Sequence, residues 1–209
     1  MSNNITLIID TAFETCQVGV WQGDTCVTMA AVPGGGKHDI ILAPLVEEIF
    51  KVHKIKVADI ARIVVTTGPG RFTGLRVGIA FARGLALVHQ TPMAGVLTTD
   101  ALAWQMAQAG VKPEQGGVIV SVKRGESFIY RQGHEIQRVM DDELSNYLDQ
   151  HKGLIMAGVF SPEAETLLTG RADITVLPEI REPSLEAIFA VSKDIPATET
   201  AIIRPYYAI

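Results

Sequence analysis

Residues 68–78 read Gly68-Pro69-Gly70-Arg71-Phe72-Thr73-Gly74-Leu75-Arg76-Val77-Gly78, a glycine-rich turn that leads into a helical pattern. It joins an apolar, β-branched run at 63–67, which predicts a strand, to a long helical pattern through a turn that only glycines can make tightly. The free amides of the helix's first turn would face the carboxyl end of that strand, where they can hold an anion or contact a partner. The phosphate-loop pattern that ends in Gly-Lys-Ser/Thr is absent.

Strands and helices alternate on both sides of this turn. Three strands come first, because apolar runs are separated there by short turns, and regular alternation follows. The predicted order is strand 5–10, hairpin 16–22 and 25–32, helix 38–53, strand 62–67, helix 72–89, strand 92–96 and helix 99–109. Alternating strands and helices require parallel pairing with crossovers. The first half of the chain therefore reads βββαβαβα.

The same order recurs in reduced form after residue 117. Its predicted segments are strands 118–123, 126–131 and 135–140, helix 141–151, strand 153–158, helix 162–169, strand 173–177 and a final helix 183–192. Two copies of one topology predict an α/β fold of two ribonuclease-H-like lobes, the architecture of actin, the sugar kinases and the Hsp70 ATPase. We expect an N-terminal lobe at 1–110 and a smaller lobe at 111–209. The helix at 183–192 either belongs to the second lobe or packs against the first.

Composition permits this fold and limits the function. With 209 residues, 47% of them hydrophobic, the chain can bury one large core or two compact ones. A net charge of -5 gives no overall basic field, so nucleic-acid binding by the chain alone is not expected. The amino terminus lacks the positive region of a secretion signal, and the most apolar stretch, 75–88, contains two arginines. We therefore expect a cytoplasmic protein without a membrane span.

The two cysteines do not predict a disulfide. A two-residue turn at 23–24 pairs residues whose numbers sum to 47, so Cys26 faces Trp21 and Cys16 faces Ala31. We expect two small buried thiols rather than a redox or metal site.

The sequence resembles the bacterial TsaB (YeaZ) family over residues 5–106. The run GPGRFTGLRVGIAFARGLALVHQTPMAGV, starting at Gly68, matches the family's signature, and 8–16 resembles its first segment. Later landmarks are only Arg124-Gly125-Glu126 and Arg204-Pro205-Tyr206-Tyr207. The resemblance implies a noncatalytic subunit of the machinery that installs threonylcarbamoyladenosine at position 37 of tRNA. Its implied partners are the catalytic subunit TsaD, a TsaE-like ATPase and a second copy of the chain, with tRNA met only through the complex.

Asp10, followed by Thr11 at the end of the first strand, is the best single candidate for chemistry. ATPases of this architecture keep a carboxylate there, near metal-bound phosphates. With Gly68, Pro69 and Gly70 it would border ADP or ATP with magnesium shared with the partner. The alternative is a structural glycine turn in which Asp10 caps loop amides. We expect no cofactor intrinsic to this chain.

Positions in the second half depart from the pattern that catalysis needs. The family usually has an aspartate where this chain has Ser121 and an arginine where it has Lys123, and phosphoryl transfer requires a metal and a second acidic group. The related catalytic subunit binds metal through His-x-x-x-His, which corresponds here to Thr98 and Leu102. We predict no catalytic residue and no metal site. A small ATPase or kinase-like protein remains the first alternative, and a metallopeptidase-like protein the last.

The predicted helices 38–53 and 72–89 both carry more apolar residues than one core-facing stripe needs. On the second of them, Gly74, Gly78, Ala82 and Ala86 recur every four residues, which predicts a stripe that another backbone can approach closely. We predict an intersubunit surface, and the resemblance assigns it to the homodimer and to TsaD. Gly78→Leu would then break both complexes and leave the fold intact. The predicted interface residues are Leu42, Leu45, Val46, Ile49, Phe72, Gly74, Arg76, Gly78, Phe81 and Ala82.

Overall fold

The computed structural model describes residues 4–123, 125–198 and 203–206, and internal contacts divide the chain into two units. The first unit consists of Met1–Thr98 and Ile188–Tyr207, and the second of Thr99–Ala187 and Ala208–Ile209. This division differs from the predicted boundary at residue 110. The helix that follows Thr98 belongs to the second unit, where its residue Gln105 accepts a hydrogen bond from the Ser184 amide (3.0 Å).

The first unit contains a five-stranded sheet with the order β3-β2-β1-β4-β5. Strand β1 pairs antiparallel with β2, β2 pairs antiparallel with β3, and β4 is parallel to both β1 and β5. The strands are β1 (Ile5–Asp10), β2 (Thr15–Gln22), β3 (Thr25–Pro33), β4 (Ile60–Gly68) and β5 (Met93–Leu97), and the helices are α1 (His38–His53) and α2 (Phe72–His89). A 3₁₀ turn at Val57–Asp59 leads from α1 into β4.

Alternate residues of the central strands bury both faces of this sheet. Leu7 and Ile9 of β1 belong to the core under α1 and α2, whereas Ile8 is buried on the opposite face. On that opposite face Phe189 stacks on Trp21 with ring centroids 4.9 Å apart. A parallel strand that is covered on both sides reads as a continuous apolar run, as β1 and β4 do.

The second unit repeats the topology of the first. Its sheet has the order β10-β9-β6-β7-β8, so in both units the third, second, first, fourth and fifth strands lie side by side. The strands are β6 (Gly116–Lys123), β7 (Glu126–Tyr130), β8 (Gln137–Met140), β9 (Ile155–Val159) and β10 (Thr175–Val176). The helices are α3 (Thr98–Gln108), α4 (Asp141–Gln150), α5 (Pro162–Thr169) and α6 (Leu185–Ser192), the last of which crosses the division between the units. The predicted duplicated α/β architecture is confirmed.

The hairpin register departs from the predicted one after its first pairs. Trp21 faces Cys26 as expected, but a bulge between Val20 and Trp21 shifts the remaining pairs, so that Cys16 faces Val32 and not Ala31. Cys16 is buried, whereas Cys26 is exposed because β3 is an edge strand, and neither forms a disulfide. The expectation of two buried thiols is therefore wrong for Cys26.

Within the described residues, the helices are too short or too polar for any of them to span a membrane.

Candidate binding surface and the Asp10 loop

The Asp10 carboxylate is surrounded by donors from its own chain. Asp10 is 1% exposed, and its Oδ1 accepts hydrogen bonds from the Ala12 amide (2.9 Å) and from Thr66 Oγ1 (2.6 Å). Its Oδ2 accepts from Gln17 Nε2 (3.2 Å). These bonds tie the loop after β1 to β2 and β4. The arrangement is the one expected of a carboxylate that caps a loop, the alternative considered for Asp10.

The glycine turn before α2 packs directly on this loop. Gly68 has φ 110°, in the left-handed region that favours glycine. A Cβ on Gly70 would lie 2.9 Å from the Ala12 carbonyl oxygen, and the Arg71 amide donates to that same oxygen (2.8 Å). The Pro69 carbonyl accepts a hydrogen bond from Thr98 Oγ1 (2.5 Å). Residues 10–12 and 68–71 thus form one contiguous loop cluster at the carboxyl ends of β1 and β4.

The small-residue stripe of α2 receives Thr11 of the same chain. A Cβ on Gly74 would overlap the Thr11 carbonyl oxygen, and a Cβ on Gly78 would overlap Thr11 Oγ1. Thr11 Oγ1 also donates to the Gly74 carbonyl (2.8 Å). The close approach predicted for another subunit is therefore made inside the first unit, and Gly74 and Gly78 are corrected from interface residues to internal packing positions.

Four further predicted interface residues are also buried in the core of the first unit. Their side chains fill the space between the helices and the sheet, so no partner can reach them; they are Leu42, Val46, Ile49 and Ala82. Leu45 and Phe81 are half-buried, and only Phe72 and Arg76 of the predicted set are exposed. The Arg76 guanidinium lies over the Phe72 ring, 5.1 Å from its centroid.

A different face of the same two helices is open. We call it the outer helix face, and its exposed members are Ile40, Ala43, Pro44, Glu47, Glu48, Lys51, Val52, Phe72, Thr73, Arg76, Ala80, Gly84, Leu87 and Val88. Five of these are large apolar side chains with exposed fractions between 55% and 69%. Large apolar side chains exposed on two neighbouring helices are typical of a surface that a partner covers.

Of this face the sequence-based prediction included only Phe72 and Arg76, and Gly84 is among the members that it missed. It lies inside α2, and a Cβ there would meet nothing within 4 Å. A glycine in a helix interior costs about 1 kcal/mol relative to alanine, and no packing inside the chain requires it here. The sequence did contain a signal for it. Arg76, Ala80 and Gly84 recur every four residues on α2, as do the residues of the stripe that faces Thr11.

His38 is a second residue that the sequence did not single out. It begins α1, is 4% exposed, and its Nε2 lies 2.8 Å from the Phe13 carbonyl oxygen. A Cβ on Gly74 would lie 3.3 Å from its Cδ2. The imidazole therefore joins the first turns of α1 and α2 to the loop after β1, a packing role.

The last described residues pass along β5 toward the glycine turn. Thr198 exchanges two backbone hydrogen bonds with Met93 (2.7 and 3.0 Å), and the Tyr206 amide donates to the Thr67 carbonyl (2.7 Å). Between these points, the Arg83 guanidinium donates to the Ile203 carbonyl. Arg83 thus anchors this terminal segment to α2. Tyr207 of the sequence landmark lies outside the described residues.

Comparison with known proteins gives the family. A family model described as TsaD, tRNA N6-adenosine threonylcarbamoyltransferase, matches residues 29–190. The chain is 33% identical over 147 residues to the tRNA threonylcarbamoyladenosine biosynthesis protein TsaB of Escherichia coli (strain K12). The matched region covers 66% of this chain and 63% of that protein. The chain belongs to the TsaB (YeaZ) family.

Other family members agree with this assignment. The TsaB protein of Buchnera aphidicola subsp. Schizaphis graminum is 30% identical over 126 residues, 60% of this chain and 59% of that protein. The chain thus spans about three fifths of the length of these curated relatives. YeaZ from Pseudomonas aeruginosa, a solved structure, shares the fold with a TM-score of 0.75 over 98% of this chain and 99% of that one, at 20% identity.

In the second unit, Ser121 stands where the TsaB pattern usually has an aspartate, and its hydroxyl is hydrogen-bonded to that of Ser127. Ser121 Oγ lies 2.7 Å from Ser127 Oγ, and Ser127 is fully buried. The side chain of Lys123 and all of Arg124 lie outside the described residues. Thr98 and Leu102, which stand at the metal-binding positions of the related catalytic subunit, are both fully buried. In the described ranges 4–123, 125–198 and 203–206, no three His, Cys, Asp or Glu residues are grouped to hold a metal ion.

One titratable pair in the second unit has a perturbed environment. Burial raises the pKa of Asp100, and a hydrogen bond from Tyr130 partly opposes that rise. Burial and the neighbouring Asp100 raise the pKa of Tyr130. The Tyr130 phenol at the end of β7 and the Asp100 carboxyl at the start of α3 are therefore close neighbours.

Proposed function

We propose that this chain is a noncatalytic subunit in the synthesis of threonylcarbamoyladenosine on tRNA, and that it binds and supports the catalytic subunit TsaD. Membership of the TsaB family supports the pathway, since its curated relatives are named for it. The observation that carries the binding role is the outer helix face, which exposes five large apolar side chains and the open Gly84 along α1 and α2.

The loop around Asp10 favours a noncatalytic role for the chain. A carboxylate that orients a metal-bound phosphate must present an oxygen to the metal or its water, whereas Asp10 is 1% exposed and its oxygens already accept three hydrogen bonds from the same chain. Ser121 supplies no second carboxylate from the other unit. The rival function, a small ATPase or kinase-like protein, would need both groups, and a metallopeptidase-like protein would need imidazole ligands at Thr98 and Leu102.

The remaining partners follow from the same proposal. The outer helix face forms a homodimer when TsaD is absent, so the two complexes exclude each other. A TsaE-like ATPase joins the assembly, and tRNA enters through the complex in the cytoplasm. ADP or ATP with magnesium binds beside the Gly68 loop only when the partner completes the site, because Asp10 alone would repel the phosphates.

Mixing the purified chain with TsaD from the same organism tests the proposal. We expect co-migration in sedimentation velocity at micromolar concentration, and threonylcarbamoylation of a tRNA transcript that requires both proteins. Separate migration, with and without ATP and magnesium, would refute the scaffold role. Magnesium-dependent ATP hydrolysis by the chain alone, lost in a folded Asp10→Asn variant, would instead establish the kinase-like rival.

A further inference from the structure

Three of the four sheet edges formed by the described residues are protected against pairing with another chain. Strand β5 exchanges two backbone hydrogen bonds with Thr198 (2.7 and 3.0 Å), β10 is two residues long, and β8 has four residues that include Arg138. Covered, short or charged edges are the usual protection against strand addition. Strand β3, the outer strand of the first sheet, has none of these three features.

The open edge of β3 is regular between two interruptions. A bulge opposite Val20 and Trp21 leaves Val27 without an opposite residue on β2, and Pro33 at the end of the strand has no amide hydrogen. Residues 28–32 form an unbroken run that, among the described residues, pairs only with β2. A run of this length is common for a paired strand, so its outer amide and carbonyl groups can accept one more strand.

The side chains along this edge are apolar or uncharged. The whole strand, Thr25–Pro33, contains no charged residue. Met29 is 45% exposed and Ala31 is exposed on the same face, whereas Ala30 on the other face packs against the core of the first unit. A strand that pairs here therefore meets no charge and covers apolar side chains.

Charges beside the edge are largely matched. At one end Asp24 pairs with Lys193 (2.6 Å), and at the other end Glu14 pairs with Arg71. Lys37 has no ion-pair partner among the described residues, but three glycines separate it from the end of the strand. Two identical edges can therefore approach each other without like charges meeting along the paired run.

We propose that β3 pairs with β3 of a second copy of this chain across a two-fold axis, which joins two five-stranded sheets into one sheet of ten strands. Two-fold contacts use the same patch on both copies, so a charged edge would face like charge, and the edge of β3 carries none.

The two-fold axis fixes the geometry of this contact. An axis that relates neighbouring strands of one sheet is perpendicular to the sheet, so the two β3 strands are antiparallel. Helix α1, which packs against β3, then lies on the same side of the joined sheet in both copies. No residue of β3 belongs to the outer helix face, so the dimer leaves that face to TsaD.

Sedimentation velocity of a chain whose outer helix face is blocked tests the proposal. In the background variant Gly84→Glu, we expect reversible dimers at micromolar concentration. Adding Met29→Lys/Ala31→Lys places like charges opposite each other and should raise the dissociation constant at least about thirty-fold. The matched control, Gln137→Lys/Met140→Lys, adds the same charge at exposed positions of the edge strand β8 and should keep the dissociation constant of the background.

Disulfide trapping tests the axis directly. Cys26 is replaced by serine, and one cysteine at a time is placed at positions 28–32. The residue on the axis faces its own copy, whereas one step along the strand adds about 7 Å between the two copies of a residue, beyond the reach of a disulfide. We therefore expect one position to cross-link much faster than its neighbours.

Three results would overturn the proposal. These are a Gly84→Glu chain that stays monomeric up to submillimolar concentration, which would leave the edge to a strand of a different protein, an equal rise in the control, and cross-linking that is absent or equal at all tested positions. Urea midpoints show whether the lysine variants are folded, and the cysteine series decides the question if they are not.

These experiments use the chain alone, so failure of the proposed function is seen separately, as loss of TsaD binding. A last measurement rests on the proposed function. With saturating TsaD, the unaltered chain should form a complex with two copies of each protein, and Met29→Lys/Ala31→Lys should reduce it to one copy of each. A complex with one copy of each from the unaltered chain would contradict the pairing of β3.

Discussion

Gly84→Glu separates the stability of the chain from its binding, because it changes only the outer helix face. A Cβ at this position meets nothing within 4 Å, so the new side chain enters solvent without a clash. Glutamate is a better helix former than glycine, by about 0.5 kcal/mol in a helix interior. We therefore expect the free energy of unfolding in urea to rise by roughly that amount.

Binding should change in the opposite direction. If a partner helix crosses α2 at Gly84, the carboxylate must either lose its water without a cation opposite it or hold the two helices apart. Either outcome costs at least about 2 kcal/mol, which is roughly a thirty-fold loss of affinity for TsaD and for the homodimer. Isothermal titration with TsaD and sedimentation equilibrium of the chain alone measure the two affinities.

The matched control places the same charge on a helix of the second unit. Ala107 is an exposed small residue of α3, and Ala107→Glu should leave both affinities within a factor of two of the wild type. If Gly84→Glu binds TsaD as tightly as Ala107→Glu does, the outer helix face is not the binding surface, and the exposed apolar side chains need another explanation.

Three other changes test the interior of the first unit. Gly78→Leu should lower the free energy of unfolding by at least about 3 kcal/mol, seen as a lower urea midpoint, because its side chain would displace Thr11; an unchanged midpoint would contradict the packing described. Asp10→Asn should cost about 1–3 kcal/mol, measured in the same way, since it weakens three buried hydrogen bonds. Burial, and to a lesser extent Asp10, raise the pKa of Cys16 to about 11. Because the thiolate is the reactive form, iodoacetamide at pH 8 should label Cys26 and leave Cys16 unlabelled in the folded chain, as mass spectrometry would show.

Much of the fold follows from local patterns. The β-branched runs, the glycine turn at Gly68 and the alternation of elements predict the succession of strands and helices along both units, and right-handed crossovers leave few ways to arrange them in a sheet. The bulge at Val20 and the division at Thr98 are set by packing between elements distant in sequence. No local pattern encodes either of them.

The candidate surface shows where periodicity reaches its limit. Helix α2 carries two series of small residues, one through Gly74 and Gly78 and another through Ala80 and Gly84, and both satisfy a helical repeat. The sequence identifies the helix but not which series faces inward. That choice is made by Thr11, whose carbonyl and hydroxyl fit only against glycine, and it moves the open surface to the other series.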